Sequence, residues 1–406
     1  MVSDVFEREK RGCFDYFWFE TNNDESSPGH GITRDQSGNP GNDKSDFGSI
    51  AATGFALCAY IIGVEKQYVS YEDAKQRTLG TLNTFYHNVA NYHGFFHHFL
   101  HLKTAGRWDK CEVSDIDTAL FIAGAITAGE YFGGEIKTLA EAIYERIDWN
   151  AFVDQATQQF VMGYHDETGF IKHNWNHYAE QLIMCILGAG SPTFPSSGET
   201  LYSFERLKAE YGGYNYIRTR HNALFIHQFS HAFIDFKETL DRENIDWFQN
   251  SVNASLGHWL YCKNNPKGMK TFSDKSWGLS ACHYKHGYSG AFGAEPCCPD
   301  ANILIDGTVA PYAALGSLPF TPKQSLEALN HYGELPELWG KYGLVDSYNL
   351  DEDPPFYNTT FLGIDKGITI VMMANYENGL IWEYFMKNKY VSKGMEVCEV
   401  KKTPSS

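Results

Sequence analysis

Apolar side chains along this chain recur mostly at the spacing of an α-helix. In residues 69–89, Ala74, Thr78 and Leu82 stand four positions apart, so they share one face of a helix. The same analysis predicts helices at residues 2–19, 47–64, 114–132, 136–147, 179–187, 223–240, 247–261, 323–332 and 380–389.

Loops separate the predicted helices. Gly, Pro, Asn and Asp cluster at residues 22–42 and 351–358, and such clusters favour turns. Alternating strand patterns are few, although the β-branched residues 368–373 taken alone predict a strand. About a dozen helices, each with one apolar stripe to bury, predict an all-α fold of six helical hairpins closed into a toroid. No break in composition divides the chain, so we expect one domain over residues 1–406.

Composition narrows the range of partners. The formal net charge is −17, and a polyanionic surface repels nucleic acid and acidic lipid, so neither is expected as a partner. No run of about 18 apolar residues is present, so no membrane span is expected. The aromatic content is high, with 28 Phe, 25 Tyr and 9 Trp. Rings beyond those that fill the core can line a sugar cleft, because aromatic faces pack on the apolar faces of pyranoses.

Cysteine usage bears on the compartment. The chain has 9 Cys, an odd number, and several, such as Cys58, stand in apolar helical segments. Reduced, buried thiols in a cytoplasmic protein are the simpler interpretation. Met1 leads directly into the amphipathic segment without the apolar core of a signal peptide. A periplasmic or secreted location stays open if a leader has been removed.

Short motifs spread over residues 4–390 follow the order and spacing of a known enzyme group. They are FDYFW (14–18), GITRD (31–35), ATGF (52–55), VSDIDTAL (113–120), YAEQ (178–181), GSPT (190–193), HQFSH (227–231), WGL (277–279), DGTVAP (306–311), LWGKYG (338–343) and GIDKG (363–367). They resemble the glucoamylase-like domain of the β-1,2-glucanases, which are glycoside hydrolase family 144 and its clan relatives. The resemblance implies an (α/α)6 barrel and an inverting glycoside hydrolase. Its substrate would be a β-glucan oligosaccharide or polysaccharide, and it would need no cofactor.

Inverting hydrolysis needs two carboxyl groups. One protonates the leaving oxygen, and the other activates water on the opposite face of the sugar. The resemblance places the general acid at Glu180, between the aromatic residues 175–178 and an apolar helix. Burial or a nearby like charge must keep this acid protonated near neutral pH. The structural alternative is a first-turn Glu that only favours the helix dipole.

The resemblance places the general base at Asp365, just before residues 368–373. It also assigns those residues to an inner helix, because packing can override local propensity. We expect the ammonium group of Lys366 to hold Asp365 ionised. The structural alternative is an Asp that caps a loop.

Other charged residues are candidates for the site. The resemblance places Asp117 beside the reacting sugars, although Ser114 and Asp117 also form a capping-box pattern. The candidate substrate-binding residues with charged side chains are Asp115, Arg34, Asp35 and Asp306. The structural alternatives are a surface ion pair for Arg34 with Asp35 and an ordinary Asp-Gly turn for Asp306.

Aromatic residues and histidines complete the candidate set. The candidate stacking residues are Trp175, Tyr178, Trp277 and Phe17, with core packing as the alternative for each. His227 and His231 stand one helical turn apart, which would put both rings on one face. We interpret these two as sugar-binding or packing residues.

A zinc site is the metal alternative. The candidate ligands are His97, His98, His227, His231, Cys282, His283, His286, Cys297 and Cys298. The arrangement around Cys282 and His283 is similar to the zinc site of lanthionine cyclases, another helical toroid. Cys297 and Cys298 are adjacent and poorly placed to bind one ion together, and no paired C-x-x-C supports them, so no metal is expected.

The favoured hypothesis is a β-1,2-glucan hydrolase, and several alternatives stay open. The same fold could hydrolyse another glucan or β-glucoside, or transfer glycosyl units. A non-catalytic sugar-binding protein is a further alternative. Loops at residues 22–42 and 212–220 decide between endo and exo action, which the sequence leaves open together with the oligomeric state.

Overall fold

The structure is a computed structural model that describes residues 4–38 and 45–403. Twelve α-helices lie within these residues. The helices are α1 (Asp4–Glu20), α2 (Ile50–Glu65), α3 (Tyr71–His87), α4 (Asp115–Phe132), α5 (Gly134–Glu145), α6 (Leu182–Gly190), α7 (Trp247–Asn264), α8 (Pro311–Gly316), α9 (Pro322–Gly333), α10 (Gly363–Asn378), α11 (Leu380–Met386) and α12 (Lys389–Val397). Each predicted helix except those at 223–240 and 380–389 corresponds to one of them. Residues 2–3 of the first predicted helix and 39–42 of the first predicted loop lie outside the described residues.

Burial divides the helices into two layers. Nearly every residue of α2, α4, α6 and α10 is buried, so these helices form the inner wall. Helices α3, α5 and α9 bury one stripe and leave the opposite face to solvent, as outer helices do. Around the inner ring α2 packs on α4 and α10, α4 packs on α6, and α10 packs on α8. The chain therefore forms the predicted (α/α)6 barrel.

The predicted helix at residues 223–240 is wrong. The structure has two short 3-10 helices there, Leu224–His227 and Ser230–Ala232. They occupy one position of the inner ring, in contact with α8 and α10. Because no α-helix runs through the segment, the expectation that His227 and His231 share a helix face also fails.

Polar side chains tie this irregular segment to its neighbours in the ring. The Ser230 hydroxyl donates to the Glu180 carbonyl at 2.7 Å and accepts the Ile183 N–H at 3.0 Å. The Gln228 amide donates to the Ala313 carbonyl of α8 at 2.7 Å. These bonds to two flanking helices outweigh the local helical pattern.

Helices α2 and α4 cross at unusually short range through two glycines. A Cβ on Gly54 would lie 2.6 Å from the Leu120 carbonyl oxygen, and a Cβ on Gly124 would overlap the Gly54 carbonyl. Only glycine allows the two backbones to approach this closely. The crossing fixes the position of α4, whose first turn carries acidic residues.

The remaining helical differences have local causes. Residues 368–373 lie inside α10, so the helix assignment is confirmed over the strand pattern. The predicted helix at 380–389 is divided in two, because Asn388 caps the start of α12 and accepts the Tyr390 N–H at 2.9 Å. Helix α8 was not predicted, although Pro311 at its first turn is a common start signal.

Short antiparallel ladders join the helices at their ends. The strands are β1 (Gln36–Gly38), β2 (Phe47–Ser49), β3 (Asn91–Tyr92), β4 (Phe95–Phe96), β5 (Phe99–His101), β6 (Val153–Asp154), β7 (Gln159–Phe160), β8 (Tyr164–His165), β9 (Gly169–Phe170), β10 (Leu207–Tyr211), β11 (Tyr214–Arg218), β12 (Thr239–Leu240), β13 (Cys282–Tyr284), β14 (Gly287–Ser289), β15 (Trp339–Gly340), β16 (Gly343–Leu344), β17 (Tyr348–Asn349), β18 (Phe356–Tyr357), β19 (Thr360–Leu362) and β20 (Lys401–Lys402). The pairs β1 with β19, β2 with β5, and β13 with β14 carry residues of the site described below. In residues 4–38 and 45–403, no helix has both the length and the apolar character to cross a bilayer.

Candidate active site

A cavity of about 420 Å3 opens where the inner helices begin. This volume lies within the range of small-ligand sites. The cavity is lined by Asp35, Gln36, Ser49, His98, Phe99, Ile116, Asp117, Leu120, Glu180, Phe225, Phe229, His283, Tyr288, Leu362 and Ile364. Carboxyl groups, histidines and aromatic rings therefore converge on one space, which we call the sugar cavity.

Glu180 lies on the wall of the sugar cavity, two residues before α6 begins. Because Gln181 is the N-cap residue, Glu180 stands outside the first helical turn. Burial raises the pKa of the Glu180 carboxyl to about 7, and the charge of Asp117 adds to the shift. A carboxyl with this pKa is about half protonated at pH 7 and more so at lower pH, which suits a general acid that works near neutral pH.

Asp117 combines the two roles that the sequence analysis left open. It is the third residue of α4, where Ser114 donates to its carboxylate at 2.6 Å and its own N–H donates to the Ser114 hydroxyl at 3.2 Å. The same carboxylate lines the sugar cavity and lies 3.5 Å from Nε2 of His98. Asp117 therefore caps the helix while facing the cavity.

His98 is a cavity residue that the sequence analysis considered only as a metal ligand. Its Nδ1 lies 2.9 Å from a carboxylate oxygen of Glu112, and its Nε2 faces Asp117. Burial opposes the charged ring, but Asp117 and Glu112 outweigh burial and raise the pKa of His98 to about 9. The imidazolium places one positive charge among the carboxyl groups of the cavity.

Asp365 lies behind the wall of the sugar cavity. It is the third residue of α10, and its neighbours Leu362 and Ile364 line the cavity while Asp365 does not. It borders a second, smaller cavity of about 10 Å3, which it shares with Asp346. Its Oδ2 is buried, and its carboxyl group interacts with that of Asp346 by charge and by a side-chain hydrogen bond.

The expected partner of Asp365 is engaged elsewhere. The Lys366 ammonium group donates to Glu9 at 2.8 Å. Burial, followed by the charge of Asp346, raises the pKa of Asp365 well above its ordinary value. The expectation that Lys366 holds Asp365 ionised is therefore wrong.

Asp35 connects the two groups of carboxyls. It lines the sugar cavity, and burial raises its pKa to about 6, although His98 and His283 act in the opposite direction. The charges of Asp117 and Asp346 both act on it. Of the two candidate ion-pair residues, Asp35 thus faces the cavity.

Arg34 points elsewhere. Its Nε donates to Glu20 at 3.0 Å, and its side chain borders a separate surface cavity with Phe19 and His101. The ion pair that the sequence analysis weighed for Arg34 exists, but with Glu20 in place of Asp35. Substrate binding by Arg34 stays a prediction.

Four of the predicted substrate-binding residues are buried in the protein interior. The exposed fractions of Asp115, Tyr178, His227 and Trp277 are all 0%. The Asp115 carboxylate accepts the indole N–H of Trp175 at 3.2 Å, and the ring of Tyr178 stacks on Trp247 at 4.9 Å. None of these four side chains offers surface to a ligand in this structure, so direct substrate contact by them stays a prediction. Phe17 is buried in the same way.

Two further predictions fall outside the sugar cavity. Trp175 is half-buried and is held by its bond to Asp115. The Asp306 carboxylate accepts the Thr308 N–H at 2.9 Å, the turn that the Asp-Gly pair indicated. Neither side chain lines the sugar cavity.

The candidate zinc ligands are dispersed. In the part of the chain that the structure describes, no group of three or more His, Cys, Asp or Glu side chains is arranged to hold a metal ion. His283 instead bonds Asp346, with 3.2 Å between Nδ1 and the carboxylate. The sequence analysis did not single out Asp346, because no local pattern marks it.

An (α/α)6 barrel with a carboxyl-lined cavity at the ends of its inner helices defines the glucoamylase-like class. Within that class, the chain belongs to the glycoamylase family, described as "Putative glucoamylase", whose family model matches residues 172–389, more than half of the chain. The predicted membership of the glucoamylase-like glycoside hydrolases is thereby confirmed.

Named relatives share the whole barrel. An exo β-1,2-glucooligosaccharide sophorohydrolase (non-reducing end) of Parabacteroides distasonis is 25% identical over 94% of this chain, which spans only 56% of that relative's length. An endo-β-1,2-glucanase of Chitinophaga pinensis, solved with sophorotriose and glucose, is 25% identical with a TM-score of 0.87 and 99% of both chains covered. A structure from Bacteroides uniformis with the same family description is 28% identical, with a TM-score of 0.88 and 99% and 98% of the chains covered.

Proposed function

We propose that this chain is an inverting β-1,2-glucan hydrolase in which Glu180 is the general acid and Asp365 the general base. The observation that carries the proposal is the Glu180 carboxyl, which lines the sugar cavity with a pKa raised to about 7. A β-glucan substrate also agrees with the names of the Parabacteroides distasonis and Chitinophaga pinensis relatives.

The reaction follows from the two sides of the cavity. Glu180 gives its proton to the glycosidic oxygen as the bond from that oxygen to the anomeric carbon breaks. A water oxygen bonds to the opposite face of the same carbon, and its proton passes toward Asp365. Asp117 acts beside the acid, since its charge helps to keep Glu180 protonated.

Aromatic rings supply surfaces for the sugar. Phe99, Phe225, Phe229 and Tyr288 line the sugar cavity. Ring faces pack well on the apolar faces of glucose, whereas the carboxyl groups bond its hydroxyls. This mixed lining favours a neutral oligosaccharide as the ligand.

The test is a Glu180→Gln variant assayed for new reducing ends on linear β-1,2-, β-1,3- and α-1,4-glucans. The wild-type protein should cleave the β-1,2-linked polymer in preference, and the variant should lose about 10²–10⁴-fold in kcat/KM, because an amide cannot donate the proton. Glu135→Gln, an exposed residue at the start of α5, is the matched control and should retain full activity. Undiminished turnover by Glu180→Gln would refute the assignment.

We also propose that the chain works in the cytoplasm, where thiols remain reduced. All nine cysteines are free in the structure, and most are buried. Mass spectrometry of the protein isolated under thiol-blocking conditions should find every cysteine alkylated after denaturation. A disulfide in the native material would contradict this location.

A further inference from the structure

One histidine of the sugar cavity contacts a carboxyl group that lines the smaller cavity beside it. His283, in β13, lines the sugar cavity. The Asp346 carboxylate, which contacts His283, lines the smaller cavity together with Asp365. His283, Asp346 and Asp365 thus form a chain of side chains that runs from the sugar cavity to the proposed general base.

The contact between His283 and Asp346 fixes the imidazole ring. One carboxylate oxygen of Asp346 accepts the His283 backbone N–H at 2.6 Å and lies 3.2 Å from Nδ1 of the ring. The Asp346 side chain is 0% exposed, so this oxygen has little competition from solvent. A carboxylate at Nδ1 holds the proton there and leaves Nε2 as the nitrogen able to accept a proton on the other side.

The end of this chain of side chains that lies farthest from the sugar cavity is a pair of carboxyl groups, those of Asp346 and Asp365. Asp346 Oδ1 and Asp365 Oδ2 are both buried, and the two carboxyl groups interact with each other by charge and by a side-chain hydrogen bond. The smaller cavity that they share measures about 10 Å3, roughly the volume that a single water molecule needs. Two carboxyls this close disfavour a double negative charge.

Direct action by Asp365 meets an obstacle. Ile364 lines the sugar cavity and Leu362 lines both cavities, whereas Asp365 lines only the smaller one. A proton leaving the attacking water therefore needs an intermediate carrier. His283 is the titratable side chain that both lines the sugar cavity and bonds Asp346.

We propose that His283 and Asp346 relay the proton of the attacking water to Asp365, an inference that rests on the proposed hydrolase function. As the water oxygen bonds to the anomeric carbon, one water proton moves to His283 Nε2. The Nδ1 proton of His283 moves to Asp346, and the carboxyl pair of Asp346 and Asp365 holds it. Glu180 has meanwhile lost one proton to the leaving oxygen, so the protein gains and loses one proton in each turnover.

Other charged groups surround this relay. His283 is faced by Asp346 and Asp35, and its ring meets Tyr288 edge-on at 5.4 Å. Burial lowers the pKa of His283, but the bond and charge of Asp346, with the charge of Asp35, outweigh it and raise the pKa. On the inner side, Asp35 and Lys366 act on Asp365 with opposite signs.

The first arm of the test removes the imidazole ring and supplies it again. His283→Ala should lose about 10²-fold or more in kcat on a linear β-1,2-gluco-oligosaccharide, which is typical of a lost proton-transfer group. Added imidazole should raise the kcat of this variant at least about tenfold. The restored rate should follow the neutral fraction of imidazole as the pH rises. His286→Ala, on the exposed turn of the same hairpin, is the matched control and should neither lose activity nor respond.

The second arm keeps the ring and changes its partner. Asp346→Asn should lower kcat while KM changes less than about twofold. Because Asp346 raises the pKa of His283, the acidic limb of the kcat/KM profile should move to lower pH. A purely structural loss would not move that limb. If Asp346→Asn fails to fold, the imidazole arm decides alone.

The outcomes separate the relay from the function on which it rests. If the wild-type protein folds but cleaves no glucan, the proposed function fails and the relay fails with it. If Glu180→Gln behaves as expected but His283→Ala retains wild-type kcat, or loses activity without imidazole rescue, the relay alone is overturned.

Discussion

Two aspartates occupy the same position on two inner helices and meet opposite surroundings. Asp117 is the third residue of α4, and Asp365 is the third residue of α10. Ser114 caps α4 and donates to Asp117, whereas Leu362 at the start of α10 offers no side-chain cap. Asp117 also faces the imidazole of His98, whereas Asp365 faces a second carboxyl group, that of Asp346.

The difference shows that the neighbouring side chains, more than the position in the helix, determine whether a carboxyl group is protonated. The dipole at a helix N-terminus favours an anion at both positions. For Asp365, burial and the nearby Asp346 outweigh the dipole, and the pKa rises well above its ordinary value. The barrel thus places a carboxylate that interacts with Glu180 on one side and a buried pair of carboxyl groups on the other.

The first prediction, which has the largest effect, is that Asp117 and Asp365 differ in how they influence the pKa of Glu180. Asp117→Asn should lower kcat/KM by about 10²–10³-fold. Because the charge of Asp117 helps to raise the pKa of Glu180, its loss should also move the alkaline limb of the pH profile to lower pH. Asp365→Asn should lower activity without moving that limb. The two pH–rate profiles measure this contrast, and an alkaline limb that shifts equally in both variants would contradict it.

The second prediction concerns the support of α4, which carries Asp117. Gly124→Ala should destabilise the fold by about 2–3 kcal/mol, because the new methyl group would overlap the backbone carbonyl of Gly54. Gly129→Ala on the same helix is the control, since its methyl group would lie 3.1 Å from Lys137 Cα and cost less than about 1 kcal/mol. Urea unfolding measures both. Equal stability of the two variants would show that the α2–α4 crossing is not tight.

The third prediction is that replacing Asp365 and replacing Asp117 change the free energy of unfolding in opposite directions. The folded state raises the pKa of Asp365, so its contribution to stability is greatest below the unfolded pKa and falls as the pH rises above about 4. Asp365→Asn removes this loss and should be more stable than wild type at pH 8, with the gain vanishing near pH 4. Asp117→Asn should instead lose about 1–2 kcal/mol, because it weakens the bonds to Ser114 and His98. Denaturant unfolding at both pH values tests the signs, and a less stable Asp365→Asn at pH 8 would count against the account.

The last prediction, which has the smallest effect, concerns the Ser114 side-chain cap of α4, which has no counterpart in α10. Ser114→Ala should cost about 1 kcal/mol of stability, because the N–H of Asp117 loses its acceptor. Activity should fall less than in Asp117→Asn, since the carboxylate itself remains. Thermal unfolding together with kcat/KM measures both effects. A Ser114→Ala variant as inactive as Asp117→Asn would mean that position, and not charge, is what Asp117 contributes.

The inner helices and the cavity carboxyls were accessible from the sequence. Helical periodicity located most of the helices, and the motifs around Asp117 and Glu180 indicated the cavity wall. The irregular ring segment was not accessible, because bonds from Ser230 and Gln228 to separate helices decide its path. Local propensity carries no information on such contacts.

The roles of individual rings and of Asp346 were beyond a single sequence. Tyr178 and Trp277 are as aromatic as the cavity rings, yet both are 0% exposed. Aromatic content therefore cannot separate core from cleft. Asp346 gains its position only through long-range packing against His283, so no spacing along the chain marks it. His283 itself was recognised in the sequence, but it was interpreted as a candidate zinc ligand.

In the proposed mechanism, Glu180 and the Asp365 side of the cavity act on opposite faces of one glucose unit. Proton NMR during the first turnovers on linear β-1,2-glucan tests this directly, because it reads the anomer released before mutarotation. We expect the α-anomer to appear first, since an inverting enzyme converts a β-linkage to an α-product. Initial release of the β-anomer would contradict the account.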